Sequence, residues 1–213
     1  MERNNRVVLG VLLIGAGVLL TLQQLNLIPG GWEDVIVGLA YLAGFVFFLT
    51  TFLSNRSQWW AALSTFIFLG LTLSRGIELF APGLEDLGGA IFFLLMGLGF
   101  LTVFSLERSQ WWAIIPGGVM LSLAALVAVE ELGANIGFEP AGLLFIGMGV
   151  TFLALSAMKV EGQRLSWAIF PAIPLLLLGL FVGLENEAVW AYVWPSLIIL
   201  LGLYFVAGAA RRK

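Results

Sequence analysis

The sequence predicts an all-α polytopic membrane helix bundle: about eight transmembrane helices, arranged as four hairpin repeats of the same orientation. Three observations predict it. Hydrophobic residues make up 61% of the 213-residue chain and charged residues 11%, against about 25% charged residues in an ordinary soluble domain. Apolar segments recur at the length needed to cross a hydrocarbon core of about 30 Å, roughly 20 residues per helix. The polar breaks between them alternate in charge, one basic and the next acidic.

The apolar segments fall at about 7–28, 34–54, 58–80, 86–106, 110–130, 140–158, 165–184 and 190–209. A helix satisfies its own backbone in lipid without closing a barrel, and the strict alternation of barrel strands is absent. The first run follows Arg3 and Arg6 and continues without a small-x-small cleavage site, so it is read as a retained span rather than a signal peptide. The chain is treated as a single transmembrane domain, 1–213, with hairpins at approximately 1–55, 56–107, 108–162 and 163–213.

Orientation follows from the breaks. Nine of the ten Lys/Arg residues lie in the N-terminal MERNNR, SNRSQ at 54–58, LERSQ at 106–110, KVEGQR at 159–164 and the terminal RRK. Ten of the thirteen acids lie in or beside the other set, around 29–34, 78–86, 130–139 and 184–188. Short loops rich in Lys/Arg stay cytoplasmic. Both termini are therefore expected in the cytoplasm, which requires an even number of spans. All eight tryptophans flank these breaks, where an indole buries its ring and wets its N–H.

Internal repetition accompanies this pattern. Arg56-Ser57-Gln58-Trp59-Trp60-Ala61 recurs as Arg108-Ser109-Gln110-Trp111-Trp112-Ala113, and Trp112-Ala113-Ile114-Ile115-Pro116 as Trp167-Ala168-Ile169-Phe170-Pro171. The even spans open at Trp32-Glu33-Asp34, Leu84-Glu85-Asp86, Phe138-Glu139-Pro140 and Val193-Trp194-Pro195. Asp34 and Asp86 suit the positive end of a helix dipole; Pro140 and Pro195 suit a first turn, where the missing N–H costs nothing. Pro116 and Pro171 are expected to shape first turns, and Pro174, slightly deeper, to be the main kink. Gly179/Gly183, Ala40/Gly44 and Gly118/Ser122 are small-xxx-small pairs that let helix backbones approach. They are read as crowding within one bundle, with self-association as the alternative.

Little chemistry is available. The chain has no cysteine and no histidine, which excludes thiolate nucleophiles, Cys/His zinc sites and histidine proton shuttles. Phosphate loops and metal-binding helix motifs are absent. A Ser–Lys hydrolase would need Lys159 or Lys213, both at cytoplasmic ends. No ionisable residue is expected near the midplane of any span, where coupled transporters commonly carry one. No catalytic, cofactor-binding or metal-binding residue is assigned, no cofactor is expected, and no basic run points to nucleic acid.

The candidate polar cluster is Arg75, Glu78, Gln23 and Gln24. Arg75 is the one basic residue away from the cytoplasmic side, about a turn from the outer end of the third span. Glu78 shares its helical face three residues on. Charges within spans are functional hypotheses by default; here the depth favours a local ion pair with Arg75 snorkelling to the headgroups. Gln23 and Gln24, near the outer end of the first span with Asn26, are read as amides bonded to a neighbouring helix, with a vestibule lining as the alternative.

Two segments resemble the LiaI/LiaF-like transmembrane region of bacterial envelope-stress proteins, which pairs a glycine-punctuated helix with one opening in Trp-Pro. Gly10-Val11-Leu12-Leu13-Ile14-Gly15-Ala16-Gly17 through Leu25-Asn26-Leu27-Ile28 resembles the first element, and Trp194-Pro195-Ser196-Leu197-Ile198-Ile199-Leu200-Leu201-Gly202-Leu203 the second. The resemblance implies membrane anchoring and association with stress-sensing partners. Regulatory members carry a soluble C-terminal domain, whereas this sequence closes on Arg211-Arg212-Lys213. A weaker similarity is to HdeD-like hairpin-repeat membrane proteins. Neither resemblance carries functional residues over. The expectation is therefore a non-enzymatic component of a prokaryotic cytoplasmic membrane, structural or related to envelope stress. Its partners are the lipid bilayer, other membrane proteins or a second copy of itself. The alternative is a small-solute permease or channel with a path between hairpins, lined by hydroxyls such as Ser64, Thr72, Ser122 and Thr151.

Overall fold

A computed structural model describes residues 32–81, 83–134, 136–160 and 163–184. It also describes single positions near each end: 14–15, 17–18, 21–22, 24–25, 192, 195–196 and 198–199. Most of the expected first and eighth spans, and the residues Gln23, Asn26, Trp190 and Trp194, lie outside the described set.

Six helices account for nearly all of the rest: α1 (Trp32–Ser54), α2 (Trp59–Phe80), α3 (Gly88–Leu106), α4 (Ile114–Glu131), α5 (Pro140–Ala157) and α6 (Ile169–Gly183). Short 3-10 turns lead into three of them: Glu85–Leu87 into α3, Arg108–Ala113 into α4 and Ser166–Ala168 into α6. With those turns included, all six are long and apolar enough to cross a membrane, which is compatible with a multi-pass membrane protein. The loop between α5 and α6 holds the one extended pairing among the described residues, Lys159 with Arg164 and Val160 with Gln163.

The helix ends follow local chemistry. Pro140 opens α5 within its first turn, where it forfeits no hydrogen bond. Pro116 and Pro171 are each the third residue of their helix, and Pro174 lies inside α6. Helix α4 closes on Gly133, at φ +58°. Its N–H donates to Glu130 O, and that of Ala134 to Val129 O, at 3.1 and 3.2 Å. This pair of bonds satisfies two orphan carbonyls, and it needs a residue at ease in the left-handed region.

The chain divides into two compact units, 1–113 and 114–213. In the first unit, α1, α2 and α3 pack in sequence as antiparallel neighbours. Gly44 on α1 receives the Phe68 ring of α2, and that ring stacks on Phe48 at 5.2 Å. Between α2 and α3, a Cβ at Gly70 would lie 3.3 Å from the Phe92 Cα, and one at Gly99 would lie 2.8 Å from the Phe66 Cβ. The fully enclosed apolar side chains among the described residues of this unit are small: Ala61, Ala62, Val103 and Ala113.

In the second unit, α4 packs on α5 and α5 on α6. The α4–α5 contact is reciprocal. Ser122 fills the space over Gly147, while Thr151 fills the space over Gly118. Each hydroxyl also donates back to the carbonyl of the glycine one turn earlier, Ser122 to Gly118 at 2.7 Å and Thr151 to Gly147 at 2.8 Å. The α5–α6 contact is closer still. A Cβ at Gly142 would stand 2.6 Å from the Gly179 carbonyl oxygen and 2.7 Å from the Gly183 nitrogen. At the same crossing the Glu139 N–H donates to Gly183 O at 2.8 Å. Ile146 and Leu176 also enter these seams, over Gly179 and Gly149, and Leu155 is fully buried, while Phe170 and Leu177 are exposed.

The seam predicts a sharp contrast between glycines. The atoms facing Gly142 are backbone and cannot move aside, so Gly142→Ala should lower unfolding free energy by about 1–3 kcal/mol. Gly76, inside α2, has nothing within 4 Å of its position for a Cβ. There Gly76→Ala should be neutral, or stabilising by up to about 1 kcal/mol. Thermal or steric-trap unfolding in micelles reads both, and equal effects would contradict the packing described.

Candidate functional site

The most polar place inside the described helices is where α1 begins and α2 ends. Asp34 is the third residue of α1; Arg75 and Glu78 lie in the last two turns of α2. Because the two helices run antiparallel, these residues meet at one depth. The Arg75 guanidinium bonds both carboxylates, Nη2 to Asp34 Oδ1 and Nη1 to Glu78 Oε2. One pair bridges the two helices; the other is an i, i+3 pair within α2.

The stem of Arg75 lies across Gly38, with its Cγ 3.6 Å from where a Cβ would stand. Asp34, Gly38 and Tyr41 fall on one face of α1, a turn apart. Glycine thus opens the groove through which the Arg75 stem runs to reach Asp34. Side-chain exposure is 27% for Arg75, 50% for Asp34 and 42% for Glu78. All three side chains are thus partly exposed, with Arg75 Nε itself buried.

Arg75 and Glu78 are together. Gln24 is helical and exposed and takes no part in this ion pair; Gln23 lies outside the described residues. The sequence reading missed Asp34 as a partner of Arg75, having assigned it to the helix dipole. The signal was present: Asp34 lies 20 residues before the basic loop 54–58 and Arg75 lies 17 after it, so a hairpin brings them to within about a turn of one another.

Several hydroxyls inside the helices turn onto their own backbone. Thr65, Thr72 and Thr102 each donate to the carbonyl four residues back, at 2.7, 2.7 and 2.8 Å. Among the described residues no cluster of three or more acidic or other metal-ligating side chains occurs. The chemistry on offer is charge pairing at one end of a hairpin. No family model, curated protein or solved structure matches this chain.

Removal of Arg75 leaves two acids facing each other without their cation. A double-mutant cycle between Asp34→Asn and Arg75→Gln should give a coupling energy on the order of 0.5–1 kcal/mol, reduced by added salt. A coupling of zero at low salt would show that the pair does not hold α1 to α2.

Proposed function

We propose that the chain is a packed, non-enzymatic membrane component of a prokaryotic cytoplasmic membrane. In this reading it has eight spans in four tandem hairpins with both termini cytoplasmic. It acts through helix–helix contacts, with the bilayer, other membrane proteins or a second copy as partners. The observation that carries the reading is the closed α4–α5 seam. Ser122 and Thr151, two of the hydroxyls that would line a solute path, instead fill the spaces over Gly147 and Gly118 and donate to their own helices. Thr72 is likewise turned onto Phe68 O. A hydroxyl already bonded to its own backbone and covered by a neighbouring helix is a poor ligand for a passing solute. This favours a scaffold over a permease.

Three facts support the tandem hairpins. Ala61, Ala113 and Ala168, which follow Trp60, Trp112 and Trp167 in the repeated motif, are each wholly enclosed. The loops before the first two motifs fold alike: the N–H of Gln58 donates to Asn55 O at 3.2 Å and that of Gln110 to Glu107 O at 3.0 Å. In the same loops the Ser57 and Ser109 hydroxyls donate to the Asn55 and Glu107 side chains, at 2.6 and 2.7 Å. Helix register agrees as well. Shifting the Gly70–Phe92 contact of α2–α3 by the motif spacings lands on Ser122–Ile146, one residue from the observed Ser122–Gly147 contact of α4–α5. Shifting Gly44–Phe68 of α1–α2 in the same way lands on Val150–Leu175, beside the observed Gly149–Leu176 contact.

The link to envelope stress rests on the LiaI/LiaF-like sequence pattern alone. A hairpin-repeat anchor with no reactive group suits a protein that reports on, or holds, other membrane proteins.

Reconstituted vesicles test the choice between the two readings. Vesicles carrying the purified chain should release encapsulated ions, sugars and amino acids no faster than protein-free vesicles. Solute-selective release that scales with protein content would overturn the scaffold reading.

A further inference from the structure

We propose that the repeated Arg-Ser-Gln-Trp-Trp loops form a binding site for the phosphodiester headgroup of an anionic phospholipid. The inference rests on the membrane reading above and goes beyond it in naming the ligand. Both loops belong to the first unit, and the packing of α2 on α3 brings their ends together. Trp59, at the start of α2, meets Trp112 edge to face at 6.0 Å, with the rings at 82°. Trp112 also packs against Phe100 at 6.4 Å, and its indole N–H donates to Gln110 Oε1 at 2.6 Å. The aromatic pair is therefore fixed from several sides. Trp60 and Trp112 remain 37% and 38% exposed, as an interfacial indole resting on acyl chains would be.

Arg56 and Arg108 are the cations of these loops, and both are exposed. Among the described residues neither forms an ion pair; the ion pairs there belong to Arg75. The nearest acid in sequence to Arg108 is Glu107, which accepts from Ser109 at 2.7 Å and is turned toward its own loop. The Arg108 guanidinium lies 4.4 Å from the centroid of the Phe104 ring, and Phe104 is buried. That contact holds the cation back along the last turn of α3, at the level of the aromatic belt, instead of letting it extend into water. A guanidinium fixed there with no carboxylate presents its N–H fork to phosphate oxygens, the acceptor that its geometry fits. This cation and the exposed Arg56, beside exposed indoles, match a negatively charged phosphodiester with acyl chains beneath it.

The test uses the full chain in micelles doped with phosphatidylglycerol or with phosphatidylcholine of the same acyl chains. Phosphatidylglycerol should raise the unfolding temperature saturably above that in phosphatidylcholine. R56Q and R108Q should each weaken the apparent lipid affinity roughly five-fold, and the double variant should abolish the lipid-specific rise while unfolding normally in phosphatidylcholine. If the double variant fails to fold, the single variants carry the test. The control K159Q/R164Q, at the other basic loop, should retain the effect. The proposal is overturned if phosphatidylglycerol and phosphatidylcholine act alike on the native chain. It is also overturned if the control loses the effect as fully as R56Q/R108Q, or if free glycerophosphate reproduces it. Flux through vesicles is a separate readout, so failure here leaves the scaffold reading to its own test.

Discussion

Between helices in hydrocarbon there is no hydrophobic force, because the lipid tails are as apolar as the side chains they would release. What remains is contact distance, and in this chain contact distance is set by glycine. At the α5–α6 crossing, Gly142 faces the backbone of Gly179 and Gly183 with no room for a methyl group. At α4–α5, Gly118 and Gly147 each receive a hydroxyl-bearing side chain from the partner helix. Dispersion contacts are individually small and fall off quickly with separation. Backbone-to-backbone approach over several turns is how such a seam accumulates enough of them. Many leucines are turned outward, and among the described residues most enclosed positions go to small side chains such as Ala61, Ala62, Ala113 and Ala172, with Leu155 and Val103 the largest that are fully buried.

The polar residues fit the same proposed lipid solvent. Inside the helices, Thr65, Thr72, Thr102, Ser122 and Thr151 each bond the carbonyl four residues earlier, whereas Arg75 Nε is buried without a hydrogen-bond partner. Charged groups are confined to the helix ends, and the one basic group that enters from the acidic-loop side, Arg75, is met by Asp34 and Glu78 together. Among the described residues, Arg56 and Arg108 of the basic loops form no ion pair. The two ends of the α1–α2 pair therefore differ: Arg75 is paired with acids at one, and Arg56 is exposed without an ion pair at the other.

The helices were legible because each apolar run has the length of a span and is bounded by charge. Expected 34–54 became Trp32–Ser54, and expected 140–158 became Pro140–Ala157. Three starts came later than periodicity alone gives: α3, α4 and α6 are each preceded by a 3-10 turn, at Glu85–Leu87, Arg108–Ala113 and Ser166–Ala168. Hydropathy does not distinguish i→i+3 from i→i+4 bonding, so those turns were invisible. Gly179/Gly183 and Gly118/Ser122 were legible as contact sites, and the structure shows the contacts made within the chain. Their partners were not legible, since a one-dimensional spacing does not say which neighbouring helix it faces. The Arg75–Glu78 pair was local and therefore readable. Asp34, 41 positions away, required the antiparallel register of α1 and α2.

The central claim is that lipid is the solvent of the outward apolar faces. Single spin labels test it directly, because the chain has no cysteine of its own. Labels placed through Val46→Cys, Leu98→Cys and Leu177→Cys sit on exposed mid-helix positions of α1, α3 and α6; Ile136→Cys places one in an exposed loop. In reconstituted bilayers the three helix labels should collide often with dissolved oxygen and rarely with a water-soluble nickel chelate, and the loop label should do the reverse. Chelate accessibility at the helix positions equal to that at Ile136 would contradict the account.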